Sequence, residues 1–522
     1  MEWADSKGRH KLTKLLIATL GFGVGLALCS MAALAAENEW LTWGYDQERT
    51  GWNQAEKTLT KDNVSRLELK WKAQLPIPTS EVVLSTMTAP LVASVNGRDV
   101  VFIVGNDNTV FAIDSDTGKV TWQKAFPNTL TPKQPATWLC GNSQNATPVI
   151  DKDSGIIYIS TSDGKLRGLS IANGEDRMPA TDFTNPFARN WSLNLIDGVI
   201  YSSTARGCGG SISHFTAMDL KDPNRRVVEF YTSVGRPAGA WGRGGMVRGP
   251  KGIYTQTADG PYDPATGKYG ETVMLLNPKD LRLMDSYTPA NWQYLNTKDL
   301  DLGSANPVVF PFQKWTIVAS AAKESVITLL NGDDLGGPDH HTPMYQSARW
   351  GNDEVLLAGR GLWGAMATWQ DPQGRRFLLM PLWGPPSKDA PKFKYSYGDS
   401  PEGSVMAFEV AVDPGKGVPM LIPTWISRDM HVPDPPVVAN GVVYAIQTGE
   451  NTAQGRGATA KTRSTPITNT VLYALDGETG KELYSSDKLI DSWVHYSEPV
   501  VAGGRIYVST WDGRLYAFGL KK

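Results

Sequence analysis

Apolar and polar positions fall into short, repeated strand-length runs along this chain, and the pattern is clearest near its end. Pro436-Val437-Val438-Ala439-Asn440-Gly441-Val442-Val443-Tyr444 leads to Val471-Leu472-Tyr473-Ala474-Leu475-Asp476-Gly477. Pro499-Val500-Val501-Ala502-Gly503-Gly504-Arg505-Ile506-Tyr507-Val508 leads to Asp512-Gly513-Arg514-Leu515-Tyr516-Ala517-Phe518. Each unit reads as strand, tight turn, strand, Asp-Gly or Asn-type turn, and a further strand of branched and aromatic residues. Repetition on this scale, without helices between the strands, predicts a propeller of four-stranded antiparallel blades.

Eight units can be counted. The first runs from Thr88 to Lys124, the second starts at Ala146, and the third holds Gly198 to Tyr201 and Phe215 to Asp219. The fourth holds Gly252 to Tyr254 and Val273 to Asn277, and the fifth runs from Asn306 to Asn331. The sixth is irregular, from Gly364 to about Ser427, and the two C-terminal units complete the set. The last unit stops one strand short. Leu67-Glu68-Leu69-Lys70-Trp71-Lys72-Ala73, ahead of the first unit, is the strand expected to close the ring and remove two free sheet edges. The fold class is therefore all-β, an eight-bladed propeller closed by an N-terminal strand.

The phrase Asp114-Ser115-Asp116-Thr117-Gly118-Lys119-Val120-Thr121-Trp122 has a local reason. Asp can bond its own backbone in the turn and Gly takes positive φ. The Trp that follows is then free to lie flat between blades, a use for the 18 Trp of this chain.

The first 36 residues stand apart. Lys7, Arg9, Lys11 and Lys14 precede an apolar run from Leu15 to Leu34, and Ala33-Leu34-Ala35 offers a cleavage site before Ala36. This reads as a secretory signal peptide over 1–36 with the propeller domain over 37–522, in a periplasmic or secreted protein. An uncleaved anchor is the alternative, and Leu28 before Cys29 argues against a lipoprotein signal. No other stretch is apolar and long enough to span a bilayer, so no stable membrane span is expected after cleavage.

With 51 basic and 53 acidic residues, and about −4 net charge once the signal is removed, nothing favours a nucleic-acid partner. Cys140 and Cys208 are the cysteines left, and in an exported protein they read as one disulfide. No C-x-x-C-H, G-x-S-x-G, H-E-x-x-H or P-loop motif is present. His340 and His341 lie in a polar loop whose composition favours solvation over metal binding.

Trp40-Leu41-Thr42-Trp43-Gly44-Tyr45-Asp46, then Lys61-Asp62-Asn63-Val64-Ser65-Arg66-Leu67 and Trp71, followed by the eight units, resemble the pyrroloquinoline quinone (PQQ) alcohol dehydrogenases over nearly the whole mature chain. Repeats of this kind also occur in non-enzymatic propellers, such as outer-membrane assembly lipoproteins. The more specific likeness is in the fourth and fifth units. Trp241 in Trp-Gly-Arg-Gly-Gly matches the Trp beneath the PQQ ring. Asp259 stands where the family has a metal-binding Asn, and Asp301, in Lys298-Asp299-Leu300-Asp301, matches the catalytic Asp. Lys323 matches the basic residue at the quinone oxygens.

The resemblance implies PQQ and Ca²⁺ as cofactors, with Asp301 and Lys323 catalytic, Asp259 and Asp301 on the metal, and Trp241 and Lys323 on PQQ. The chemistry accounts for these types: a cation polarises the quinone carbonyl, a carboxylate takes the substrate hydroxyl proton, and an indole stacks on the planar tricycle. The plainer reading is that both Asp residues serve turns and Trp241 docks blades. Two departures stand out. The third unit has Arg206-Gly207-Cys208 where the family places a Glu ligand, and the family's vicinal disulfide is missing. A Cys140–Cys208 bridge is the candidate replacement for that ceiling over the cofactor.

The implied function is oxidation of a small or polymeric alcohol, with electrons passed to a separate acceptor such as a cytochrome c. A non-catalytic envelope scaffold is the alternative, marked by a filled or neutralised funnel. A third reading, a carbohydrate- or polymer-binding module, requires Trp363 and Trp383 to be exposed.

Overall fold

The computed structural model describes residues 38–521, except 81, 145, 453–458, 460, 463, 464 and 466. The signal-peptide expectation lies outside the described residues. Within them the chain is nearly all-β, 4% helical, and forms an eight-bladed propeller. Blade 1 is built from Leu91–Val95, Arg98–Val104, Val110–Asp114 and Val120–Lys124, each antiparallel to the next. Blades 2 to 7 repeat this order. Blade 8 takes Val500–Ala502, Arg505–Ser509 and Arg514–Leu520 from the C-terminal end and Leu67–Gln74 from the N-terminal side. The pairing of Leu67 with Leu520 and Gln74 with Arg514 is the predicted closure.

The strand faces explain the stability of the ring. Middle strands such as Val442–Gln447 and Arg376–Trp383 are buried on both faces, which is why they read as continuous apolar runs. Outer strands such as Val120–Lys124 are half exposed. The turn-and-Trp phrase is a docking device. Trp71, Trp122 and Trp425 leave the outer strands of blades 8, 1 and 6 and lie on Gly118, Gly174 and Gly480 of the next blade. Each Gly has φ near +70° and would drive a Cβ to within 2.5–2.7 Å of the indole, so no other residue fits. The indole N–H groups donate to Ser115, Ile171 and Gly477 carbonyls.

The segment from Trp40 to Asn53 does more than lead in. It touches the inner strand region of every blade. Trp40 exchanges two backbone hydrogen bonds with Val92, and Leu41, Gln47, Glu48, Thr50 and Gly51 accept from Ile150, Arg248, Val309, Thr368 and Val438. Arg49 Nη2 donates to the Leu193 carbonyl, and Asn53 Nδ2 to that of Val501. The inner strand of each blade thereby gains a partner on the axis.

In an antiparallel four-stranded blade, the blade-to-blade connections and the loops between the second and third strands leave from the same face. Cys140, Arg189, Trp241, Asp301 and Trp363 lie on connections; Arg206, Cys208, Asp259, Lys323 and Glu450 lie on second-to-third loops. Topology alone gathers them at one end of the ring.

Candidate active site

Asp301 is placed by the short α-helix Trp292–Lys298, in the connection from blade 4 to blade 5. The helix ends at Asp299 in the left-handed conformation, φ 55°, whose N–H caps the last turn. Asp301 follows, 3% exposed, and its neighbour Leu302 donates its N–H to Glu271 Oε2 at 2.6 Å. Lys323, 2% exposed, reaches in from blade 5. Its Nζ donates to Asp301 Oδ2 at 2.7 Å, Asp299 Oδ1 at 2.9 Å and the Asp299 carbonyl at 3.0 Å. All three ammonium hydrogens are thereby used.

Asp259, at the end of the second strand of blade 4, donates its backbone N–H to Asp301 Oδ1 at 3.3 Å, and the two carboxyls share a side-chain hydrogen bond. The four residues expected from the sequence converge: Lys323 Nζ also lies 5.3 Å from the centre of the Trp241 ring. Asp259 keeps an exposed side to solvent, and partial desolvation, then the neighbouring charge of Asp301, pushes its carboxyl up to about 7. Burial opposes the charge of Asp301 as well, but the Lys323 ammonium and, more weakly, the Arg206 guanidinium outweigh it and hold that carboxyl below its ordinary range.

Trp241 is 3% exposed and meets Trp363 edge-on at 5.2 Å; Trp363 in turn stacks on Trp383 at 4.8 Å and 3°. Trp363 and Trp383, at 2% and 0% exposure, are core residues and offer no platform to a polymer. Cys140 and Cys208 form the expected disulfide between the blade 1–2 connection and the third-blade loop, with Cα atoms 5.3 Å apart. Leu139 beside it accepts from Arg189 Nη1 at 2.5 Å. His340 and His341 turn their Nδ1 atoms to the Ser286 and Thr288 carbonyls, consistent with a structural polar loop.

Sequence reasoning missed several groups. Glu271 is fully buried, its Oε1 has no hydrogen-bond partner, and burial followed by the Asp301 charge drives its carboxyl well above the usual range. Arg206 lies over Trp241, Cζ 4.2 Å from the ring centre. Arg243, two residues after Trp241, is fully enclosed between Trp191 and Tyr496, with Nε and Nη2 unpartnered; burial lowers it to about 9. His495 Nδ1 is hydrogen-bonded to buried Glu450 Oε2. Only the Arg206–Cys208 stretch carried a sequence signal, as the place of a missing acid.

The residues fit the two implied cofactors unequally. PQQ is a planar tricyclic tricarboxylate. An indole face, the charge of the Lys323 ammonium, Arg189, Arg206 and the unpaired N–H groups of buried Arg243 match such a molecule. The space bounded by Trp138, Arg189, Arg206, Trp363, His495 and Tyr496 is about 20 Å³, so stacking on Trp241 requires Arg206 to move off the ring. A Ca²⁺ ion takes six to eight oxygens. Here Asp301 is already bonded to an ammonium, and the third-blade loop presents a guanidinium. Among the described residues no three His, Cys, Asp or Glu side chains gather to hold a metal ion. The donor set does not fit a divalent cation.

Comparison with known proteins gives a consistent picture. Residues 46–234 match a family model described as outer membrane protein assembly factor BamB. A 1-butanol dehydrogenase (cytochrome c) of Thauera butanivorans is 24% identical over 321 residues, 54% of this chain and 44% of that protein, so the match spans under half the relative's length. A europium-containing methanol dehydrogenase superposes with a TM-score of 0.59 over 92% of this chain and 98% of its own, at 13% identity. A quinohemoprotein alcohol dehydrogenase from Comamonas testosteroni gives 0.58 over 94% and 82%, at 16% identity. These likenesses show the fold, an eight-bladed propeller similar to those of a methanol dehydrogenase and a quinohemoprotein alcohol dehydrogenase.

Proposed function

We propose that this chain is a periplasmic or secreted quinoprotein oxidoreductase that oxidises an alcohol and passes the electrons to a separate acceptor, such as a cytochrome c. The observation that carries this reading is the convergence of Asp301, Lys323, Asp259 and Trp241 at one end of the ring. When bound, PQQ supplies the two-electron acceptor. Trp241 is the stacking floor, and Arg189, Arg206 and Arg243 are the partners for its carboxylates. Asp301, held ionised by Lys323, is the base for the substrate hydroxyl proton. Lys323 supplies positive charge where negative charge grows on reduction. Burial of the pair excludes water and strengthens both effects. The named relative, a 1-butanol dehydrogenase (cytochrome c), supports an alcohol substrate and a cytochrome acceptor. No helix among the described residues is long and apolar enough to cross a membrane. The Ca²⁺ implied by resemblance is left out of this reading, because the donor set does not fit it.

A second reading has its own observation. The family model matching residues 46–234 is described as an assembly factor, and Arg206 covers the Trp241 ring as a filled funnel would. In that reading the propeller is a protein-binding scaffold in the envelope. Purified protein mixed with PQQ separates the two: alcohol-dependent dye reduction supports the dehydrogenase, and absence of PQQ binding supports the scaffold.

A further inference from the structure

The loop Ala205–Ser211 joins the second and third strands of blade 3 and constrains the backbone from which one long side chain reaches the site. Arg206, Gly207, Gly209 and Gly210 all have φ between 64° and 77°, a left-handed run that only Gly adopts freely. Arg206 adopts it against its own preference. Gly209 packs so closely that a Cβ would stand 2.3 Å from the Pro186 carbonyl oxygen. Cys208, two residues after Arg206, is tied to Cys140. A strained, glycine-rich, cross-linked loop is the kind of support that anchors the base of a functional side chain while its end can swing.

The side chain it anchors is a cation. The Arg206 guanidinium lies 4.2 Å from the centre of the Trp241 ring, and the Lys323 ammonium lies 5.3 Å from the same centre and 2.7 Å from Asp301. Two organic cations thus share one indole beside the Asp259–Asp301 pair. A doubly charged ion brought to that pair would face both of them, and among the described residues no three His, Cys, Asp or Glu side chains gather to hold it. We propose that Arg206 and Lys323 together are the built-in cation of this site, so that the chain binds PQQ, and polarises it, without a metal ion. Arg206 is the distinctive element: a planar guanidinium both stacks on an indole and forks onto carboxylate or quinone oxygens, which a bound ion cannot do.

This rests on the PQQ reading, and its test separates the two. Equilibrium dialysis of the wild-type protein against Ca²⁺ alone requires no cofactor. We expect no bound Ca²⁺ that Asp259→Ala removes; one equivalent per chain, lost in that variant, overturns the proposal whatever PQQ does. PQQ binding is then followed by quenching of tryptophan fluorescence. Equal affinity in chelator and in excess Ca²⁺ is expected, and a requirement for Ca²⁺ overturns the proposal. Arg206→Ala should weaken PQQ by roughly 10–100-fold, the cost of one charge-assisted contact, and free guanidinium ion at non-denaturing concentration should restore part of it. A guanidinium ion without effect, in a variant whose melting temperature matches wild type, counts against Arg206. Arg206→Glu should make binding Ca²⁺-dependent. If wild type binds PQQ under neither condition, the PQQ reading fails, and with it the claim about PQQ polarisation, while the dialysis still decides whether the site holds a metal.

Discussion

Lys323 Nζ stands 2.7 Å from Asp301 Oδ2, and neither side chain is more than 4% exposed. A pair this enclosed is held by geometry: the αL residue after the short helix aims the Asp301 loop, and Glu271 anchors the next N–H. Its Coulomb energy is offset in large part by desolvation. The consequence of the pairing lies in chemistry, since it keeps a buried carboxylate ionised.

Asp301→Asn keeps the shape and removes the proton acceptor. With PQQ present, turnover is expected to fall by about 10²–10⁴-fold, the size of a lost general base. PQQ affinity, read by fluorescence, should change far less, because Trp241 and the arginines remain. Wild-type turnover in Asp301→Asn would exclude Asp301 as the base.

Asp46 at about 7, and Asp434 and Glu498 at about 8, are carboxyls held above their ordinary range chiefly by burial. The folded chain keeps these protons where the unfolded chain has released them. Between roughly pH 4 and 8 the folded state therefore binds more protons, and raising the pH favours unfolding, by at most about 1.4 kcal/mol per pH unit for each group. The melting temperature should fall as pH rises through this window. Asp434→Asn, which cannot ionise, should flatten part of the slope; a wild-type slope left unchanged would show that Asp434 ionises at its ordinary pH in the folded protein.

Eight blades and the closing strand were legible because strand period, turn residues and the docking Trp all point the same way. Asp259, Asp301 and Lys323 were legible only by order and spacing, since each sits in a turn where Asp or Lys is ordinary. Cys208 was read as the place of a missing acid and Arg206 beside it was not read as a cation, because nothing in Ala205-Arg206-Gly207-Cys208 says where a long flexible side chain will point. The axial role of Trp40 to Asn53 was hidden for a related reason. Its partners are backbone groups of eight separate blades, so no local pattern records them.

The Cys140–Cys208 bridge spans 68 positions. By chain entropy a loop of that length stabilises by about 4 kcal/mol, less any strain in the folded state. Urea unfolding with and without reductant should show the lower midpoint in the reduced protein, and a Cys140→Ser, Cys208→Ser double variant should match the reduced one. Coincident curves would mean that the loop is held by its glycines and packing alone.

Arg49 is the centre of the axial segment. It is fully buried and donates to the Gly244, Trp43 and Leu193 carbonyls at 3.0, 2.6 and 3.0 Å, and to Thr42 Oγ1 at 2.6 Å. These acceptors belong to the segment itself and to the approaches to blades 3 and 4, so one side chain ties the segment to the ring. Arg49→Met keeps the length and apolar stem but strands several buried carbonyls and withdraws the positive charge facing Glu498. A loss of roughly 3–5 kcal/mol is expected, the range for breaking a buried charged group from its partners. Arg226→Met is the control: that side chain is 80% exposed and bonded to Asp222 within its own turn, so its loss should stay within about 0.5 kcal/mol. Denaturant unfolding of the two variants measures both. Equal, small shifts would show that the axial segment rests on the blades without holding them together.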